Sequence, residues 1–417
     1  GLGDVYKRQS RDGAAGEKSC MPEAPFAAAR ARDARPRLAT TLVFFANGFG
    51  YGAWAGNIPS IKLGLGLSDA ALGLALLGMA IGAILAMPLT GQVSARWGSD
   101  RLTVASGLLF ALVLALVPQA GGLVTLVLGL VLLGAGNGVM DVSMNTHATV
   151  VESGWGAAIM SSFHAAFSLG GLAGAGLAGL LLAAGHAAPL NLAVSGVLVA
   201  ACVLLAMPWL RVRRDHAGGH APAVPEEGGH GLALPNRATF GLGLIALLAL
   251  VTEGAVGDWS ALYLAVEAAA PAGVAALGFA GFSLAMTAGR LGGDAVVRRL
   301  GGASVLRLGA LLSAAGFVLM LAVPRPEVAI AGLVLVGLGL SNVFPVLFSA
   351  AGRIPGVSPG MGVAMVATMG YGGLLGGPPL LGFLAQLSGL RLALCLLVLT
   401  CLAIAWRSRA VRRDGEA

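Results

Sequence analysis

Long uninterrupted apolar runs are the feature that most restricts what this chain can form. Many of them exceed the roughly 18 apolar residues that indicate a transmembrane helix. Hydrophobic residues make up 57% of the 417 residues and charged residues only 11%, whereas soluble domains carry roughly 25% charged residues. A β-barrel would instead show short segments of alternating hydrophobicity. The sequence therefore predicts an all-α, polytopic membrane protein.

The apolar runs divide into twelve predicted transmembrane helices. A polar, disordered cytoplasmic segment is expected at 1–37, and a cytoplasmic linker rich in Arg, His, Gly, Pro and Glu lies at 210–237. The linker separates two six-helix halves, 38–209 and 238–406, and a cytoplasmic tail follows at 407–417. The predicted helices are 38–58, 69–92, 102–117, 122–146, 157–184, 188–209, 238–265, 272–293, 303–322, 328–350, 359–386 and 389–406.

Basic residues are distributed unevenly between the loops. Arginines cluster before the first predicted helix and after the even-numbered helices, whereas the odd-numbered loops carry little beyond Lys62, Arg325 and Arg391. Because positively charged loops stay on the cytoplasmic side, both termini are predicted to be cytoplasmic, in the plasma membrane of a bacterium. Met21 is a plausible start, which would make Gly1–Cys20 a translated leader or a sequencing artefact.

The two predicted halves share sequence matches at a nearly constant offset. Gly129–Gly136 and Gly332–Gly339 are identical at six of eight positions, 203 residues apart. Similar matches join the second helix to the eighth, the fifth to the eleventh and the first to the seventh. Four matches in the same order indicate a parallel duplication of six helices. Such repeats place a substrate site between the halves, near the bilayer midplane.

One apolar run, Gly129–His147, becomes polar without a break. Its side chains Asn137, Asp141 and Asn145 are spaced four residues apart and form one stripe on a helix. A carboxylate at the centre of a bilayer costs at least about 3 kcal/mol, so Asp141 must face a cavity or a partner. It is the first candidate for proton coupling, with a structural hydrogen bond as the alternative. His147 is expected to be solvated at the helix end.

Three further titratable side chains at membrane depth are proton-coupling candidates. Glu253 and Asp258 are five residues apart, which is about 140° on a regular helix. They are therefore expected to converge only if Gly254 or Gly257 breaks the helix, and Asp258 is also a candidate gate or interfacial anchor. His164 is a candidate proton relay because imidazole titrates near neutral pH. A hydrogen bond between helices is the structural alternative for His164.

Amide and aromatic side chains on the first predicted helix suit sugar rings, whose faces are apolar and whose edges are polar. Asn47, Tyr51 and Trp54 share one face of that helix. An interfacial aromatic belt and amides that join helices are the alternatives. The substrate-binding candidates are Asn47, Tyr51, Trp54, Asn137, Asn145, Trp259, Asn342 and Tyr371.

Over residues 38–406 the chain resembles the major facilitator superfamily, through its twelve predicted helices, its 6+6 repeat and the loops after the second and eighth helices. The first loop reads Gly91-Gln-Val-Ser-Ala95-Arg96-Trp-Gly98-Ser-Asp100-Arg101. Ala95 stands where the family pattern Gly-x-x-x-Asp-Arg-x-Gly-Arg-Arg has aspartate, so the usual charge relay is altered. The Met-Asp-Val-Ser-Met-Asn and Gly-Asp-Trp-Ser-Ala segments are most similar to the bacterial fucose-permease and sugar–proton symporter group.

The resemblance implies alternating access by rocking of the two halves. It assigns a gating role to charged residues at the cytoplasmic ends of the second and eighth helices, where Arg290 and Asp294 are expected to form an ion pair. The gating candidates are Arg96, Asp100, Arg101, Arg290, Asp294, Arg298 and Arg299.

These features predict a secondary active transporter, not an enzyme, that moves a small solute such as a sugar or related polar metabolite with protons. No Gly-x-x-x-x-Gly-Lys-Ser/Thr loop supports an ATP-driven pump, and the four cysteines lack metal-site spacing. No cofactor, metal or nucleic acid is expected, and the net charge of +7 reflects topology. The predicted partners are the solute, protons and membrane lipid, and the protein is expected to be a monomer. A proton-coupled drug or metabolite efflux antiporter and a non-transporting membrane sensor are the alternatives.

Overall fold

The computed structural model describes residues 34–155, 159–210, 237–351, 354 and 359–408. The regular elements of these residues are α-helices, with short 3₁₀ turns after α3 and α6. The helices are α1 (Arg35–Gly64), α2 (Asp69–Trp97), α3 (Ser99–Leu116), α4 (Leu123–Trp155), α5 (Met160–Ala183), α6 (Ala188–Ala206), α7 (Arg237–Val266), α8 (Ala272–Leu300), α9 (Gly302–Ala322), α10 (Pro326–Leu340), α11 (Val343–Ala351), α12 (Pro359–Ser388) and α13 (Leu390–Arg407).

The all-helical fold expected from the apolar runs is confirmed. Eleven of the twelve predicted segments coincide with one helix each, and the tenth is divided into α10 and α11. Pro345 causes this division, because it has no N–H to bond the carbonyl of Ser341. The helix is interrupted at Ser341 and Asn342 and resumes at Val343. The prediction for the fourth helix ended too early, since α4 continues to Trp155.

The helix surfaces are those of a multi-pass membrane protein. Within the described residues, ten spans are long and apolar enough to cross a membrane, with α10 and α11 counted as one. The spans omitted from that count are α1 and α12, whose apolar runs contain many glycines and polar side chains. Large apolar side chains such as Leu180 and Leu392 are 72% and 64% exposed. Burying such surface away from water is favourable, and lipid provides that environment.

The duplicated sequence produces duplicated helix packing. In the first half, α1 packs on α5 and α2 packs on α4; in the second, α7 packs on α12 and α8 packs on α10. Small residues permit these close approaches. A Cβ atom added to Gly174 of α5 would meet the backbone of Phe49, and one added to Gly373 of α12 would meet the backbone of Leu247. Both halves therefore use contacts of a glycine with the backbone of a neighbouring helix.

The turns after α2 and α8 are also equivalent. Gly98 and Gly301 have φ of +93° and +76°, a conformation that side chains with a Cβ atom rarely adopt. Each glycine N–H donates a 2.9 Å hydrogen bond to a carbonyl of the preceding helix, that of Ser94 or Val297. The paired sequence matches at these positions thus specify the same helix end and the same reversal of the chain.

We expect Gly174→Ala to destabilise the protein, because the added methyl group cannot be accommodated against the Phe49 backbone. Overpacking of this kind costs about 1–3 kcal/mol. Gly176→Ala is the matched control, since it lies on the same helix and an added Cβ atom meets nothing within 4 Å. Thermal unfolding of both variants in detergent checks this. Equal midpoints would show that α1 and α5 do not need this close approach.

Candidate functional site

A cavity of about 270 Å³ lies between the two halves. Its walls come from α1, α2, α4 and α5 on one side and from α7, α8 and α12 on the other. The volume is near the lower end of the roughly 300–1,000 Å³ that is usual for small-molecule sites. Much of the lining is apolar, and its polar members are Asn47, Tyr51, Asn137, Asp141, Ser168, Glu253, Asp258, Ser283, Arg290 and Tyr371.

The polar stripe of α4 forms one wall of this cavity. Asn47 Nδ2 donates a 2.9 Å hydrogen bond to Asn137 Oδ1, which joins α1 to α4. Asn145 lies one turn beyond the cavity lining, and its Nδ2 donates to Asp141 Oδ1 at 3.1 Å. Asp141 and Asn137 face the cavity. The Asp141 carboxyl is therefore held by an amide, with no ion-pair partner among the described residues.

Two carboxyl groups reach the cavity from α7. The expectation that a helix break would be needed to bring Glu253 and Asp258 together is wrong, because α7 is continuous through both residues. Gly254 lies between them on the cavity wall. A Cβ atom added to Gly254 would lie 2.9 Å from Leu374 Cδ2. The absence of a side chain therefore lets α12 approach this face of α7, and the residues on either side of it line the same cavity.

Arg290 of α8 is a cavity residue. Its Nη2 lies 3.8 Å from Glu253 Oε1, and its Nη1 donates a 3.0 Å hydrogen bond to Ser168 Oγ on α5. An ion pair with Asp294 was expected instead, but the Asp294 side chain lies outside the described part of the chain. The described contacts of Arg290 thus join an acid of its own half to a hydroxyl of the other half.

The cavity is closed at one end by close contacts between the halves. We call this end the distal face; it carries the α1–α2, α5–α6, α7–α8 and α12–α13 turns. A Cβ atom on Gly73 of α2 would lie 2.9 Å from the Cα of Gly382 on α12. A Cβ atom on Gly179 of α5 would lie 2.7 Å from the carbonyl oxygen of Gly273 on α8. Backbone packed against backbone leaves no passage at these points.

Besides Asn145, four of the proton-coupling and substrate-binding candidates lie outside the cavity lining. Trp54 and Trp259 are 2% and 0% exposed, and each indole N–H is without a hydrogen-bond partner in the described structure. Asn342 lies in the break between α10 and α11 and donates to the Gly289 carbonyl at 3.1 Å. His164 packs edge-on against the Phe44 ring. The two tryptophans are therefore part of the core.

His147 corrects a separate expectation. It was expected to be solvated at the end of a helix, but α4 extends beyond it and the side chain is only 2% exposed. Its Nε2 atom has no hydrogen-bond partner among the described residues. The longer α4 explains the error, because it buries a residue that the prediction had placed at the helix end.

Five gating candidates lie at the ends of α2, α3 and α8, away from the cavity lining. Asp100 is half-buried, and the four arginines of this group are exposed. Their side chains make no hydrogen bond or ion pair within the described ranges. The residues of this group are Arg96, Asp100, Arg101, Arg298 and Arg299.

Sequence reasoning missed several residues of the cavity. Ser168 binds Arg290, and Ser283 lies opposite Gly171. Phe279 packs edge-on against Tyr51 with ring centroids 5.6 Å apart. Single serines and phenylalanines in an apolar helix give no signal that separates a cavity residue from a core residue. Only the packing of α5 on α8 reveals them.

The fold and the central cavity are those of a multi-pass membrane transporter, and comparison with known proteins gives the family. The family model for the Major Facilitator Superfamily matches residues 40–266. An uncharacterized MFS-type transporter of Yersinia pestis is 38% identical over 377 residues, covering 90% of this chain and 96% of that protein. The chain therefore belongs to the major facilitator superfamily.

Solved structures show the same fold. A mutant form of the nucleoside transporter NupG has a TM-score of 0.73 at 14% identity, covering 90% of this chain and 99% of that one. The transporter FucP, in its outward conformation, has a TM-score of 0.60 at 19% identity, covering 92% and 99%. At these identities the similarities show a shared fold.

We expect Arg290→Met to lower the free energy of unfolding by about 1–3 kcal/mol, because it leaves the Glu253 carboxyl without its charged partner. Glu253→Gln in the same chain should recover part of that loss, and the difference gives the coupling between the two side chains. Thermal unfolding in detergent measures the two single variants and the double variant. Arg307→Met, at an exposed position of α9, is the control. Additive losses in the double variant would contradict the pairing.

Proposed function

We propose that this transporter carries a small polar solute, such as a sugar or related metabolite, by alternating access, and that Asp141 couples the movement to protons. The observation that carries the proposal is the central cavity, which is lined by carboxyl groups from both halves and closed at the distal face. A site between two halves is where parallel repeats are expected to bind their substrate.

Asp141 is proposed as the proton site because of its surroundings. Surroundings of low dielectric constant disfavour a charged carboxyl, and no cation pairs with Asp141 among the described residues. One amide, that of Asn145, donates to it, and Tyr371 of α12 is its electrostatic neighbour from the other half. Protonation would remove the charge, so that α4 can move past the second half at a lower cost.

The remaining polar groups of the cavity are proposed to bind the solute. Asn47 and Asn137 offer amides, Ser168 and Ser283 offer hydroxyls, and Tyr51 offers a ring and a hydroxyl. The bond from Arg290 to Ser168 crosses between the halves. A solute hydroxyl that replaces Ser168 at this guanidinium would change a contact that holds the halves together.

The positive-inside pattern gives the proposed orientation. If the loops rich in arginine are cytoplasmic, the distal face is extracellular, and the structure is closed to the outside. We further propose that the protein is a monomer in a bacterial inner membrane. Its proposed domains are the halves 38–209 and 238–406, and the proposed linker at 210–237 lies almost wholly outside the described residues.

Asp141→Asn should abolish gradient-driven accumulation and leave solute exchange intact, because the amide mimics the protonated acid but cannot release a proton. A thermal-shift panel of monosaccharides and their amino derivatives first identifies a stabilising solute. Proteoliposomes with an alkaline interior then measure its labelled uptake. We expect the unsubstituted protein to accumulate the solute and Asp141→Asn only to equilibrate it.

Glu327→Gln is the matched control for this experiment, since it alters an exposed acid at the start of α10 and should accumulate solute normally. Accumulation by Asp141→Asn would remove Asp141 from the coupling. If an alkaline interior drives no uptake but an acidic interior does, the efflux antiporter is the correct alternative.

A further inference from the structure

The charges that line the central cavity do not balance. The lining contains three carboxyl groups, those of Asp141, Glu253 and Asp258, and one guanidinium, that of Arg290. Arg290 pairs with Glu253, so the negative charges of the two aspartates remain uncompensated within the described lining when both are ionised. Charge held away from water is costly unless it is paired. The cavity is therefore suited to a cation.

The two aspartates differ in their surroundings. Asp141 accepts a hydrogen bond from Asn145, whereas Asp258 has no hydrogen-bond or ion-pair partner among the described residues. Tyr51 is close enough to Asp258 for electrostatic interaction, and it supplies no positive charge. Asp258 is thus the acid with the greater need for a partner.

A row of aromatic rings begins beside Asp258 and continues along the cavity wall. A Cβ atom added to Gly257 would contact the Tyr51 hydroxyl, so the tyrosine side chain lies directly against α7 beside Asp258. Tyr51 and Phe279 have ring centroids 5.6 Å apart, and Phe279 and Phe282 have centroids 6.0 Å apart. Aromatic faces attract organic cations within about 6 Å. A carboxylate beside such rings is suited to an ammonium group attached to carbon.

We propose that the transported solute is a small organic ammonium, whose charged nitrogen binds Asp258 and whose carbon skeleton packs against Tyr51 and Phe279. The amides and hydroxyls nearer α4 and α5 then bind the polar part of the solute. This inference rests on the proposed transport function and adds the charge of the solute to it. Asp141 remains available for the proton, so the two positive charges occupy separate acids.

Matched pairs of solutes test the proposal on the full chain purified in detergent at pH 7. The probes are glucosamine with glucose and N-acetylglucosamine, and glucamine with sorbitol. Glucose and sorbitol are similar in size to their amines, N-acetylglucosamine is larger but keeps the nitrogen without its charge, and only the amines carry a positive charge. A charge-assisted hydrogen bond predicts at least about tenfold tighter binding of the amine, measured as a larger rise in the unfolding midpoint.

Variants assign the preference to one acid. Asp258→Asn should remove the preference for the amine, while Asp258→Glu, Asp141→Asn and Glu327→Gln should retain it. The Glu variant keeps the test decisive if the Asn variant does not fold. Equal stabilisation by neutral and charged members, no stabilisation by any amine, or a preference that survives Asp258→Asn would overturn the proposal.

Proteoliposomes containing a pH-sensitive dye separate this inference from the proposed function. Proton movement driven by a neutral probe but not by its amine would support transport and overturn the ammonium proposal. Binding of the amines without any proton movement would support recognition by Asp258 and contradict proton coupling. The two proposals thus fail by different results.

Discussion

The cost of placing carboxyl groups inside a membrane governs the arrangement of the central cavity. A single acid at the bilayer centre costs about 3 kcal/mol or more, and this chain places three of them around one space. Each acid has a different environment: Glu253 has a guanidinium, Asp141 has an amide, and Asp258 has neither among the described residues. These differences are the basis for assigning different roles to them.

Close packing of glycines makes this arrangement possible. Contacts such as Gly174 on Phe49 set the helices of one half against each other without intervening side chains. The same type of contact, Gly73 on Gly382 and Gly179 on Gly273, closes the distal face between the halves. Contacts of this type occur within both halves. The contacts at the distal face join different halves, and they must separate if the cavity is to open there.

Much of the fold could be predicted from the sequence because membrane helices follow directly from long apolar runs. The duplication was also visible, since Gly98 and Gly301 are 203 residues apart in matching segments, and both have positive φ at the end of a helix. Acids and amides were identified because a polar group is conspicuous in an apolar helix. Their partners could not be identified from the sequence, because a contact such as that between Arg290 and Ser168 depends on how α5 and α8 pack. Trp54 and Trp259 were placed wrongly in the cavity because their spacing does not separate a lining residue from a core residue.

The most direct test of alternating access is the distance across the distal face. Spin labels on Leu63→Cys and Leu387→Cys, which are 87% and 84% exposed, report this distance by pulsed electron resonance after replacement of the native cysteines. Alternating access requires a short distance that corresponds to the closed face and a second, longer distance. The proportion of the longer distance should change when Asp141→Asn mimics the protonated acid. One short distance, unchanged by pH and by the Asp141 substitution, would contradict a cavity that opens to each side in turn.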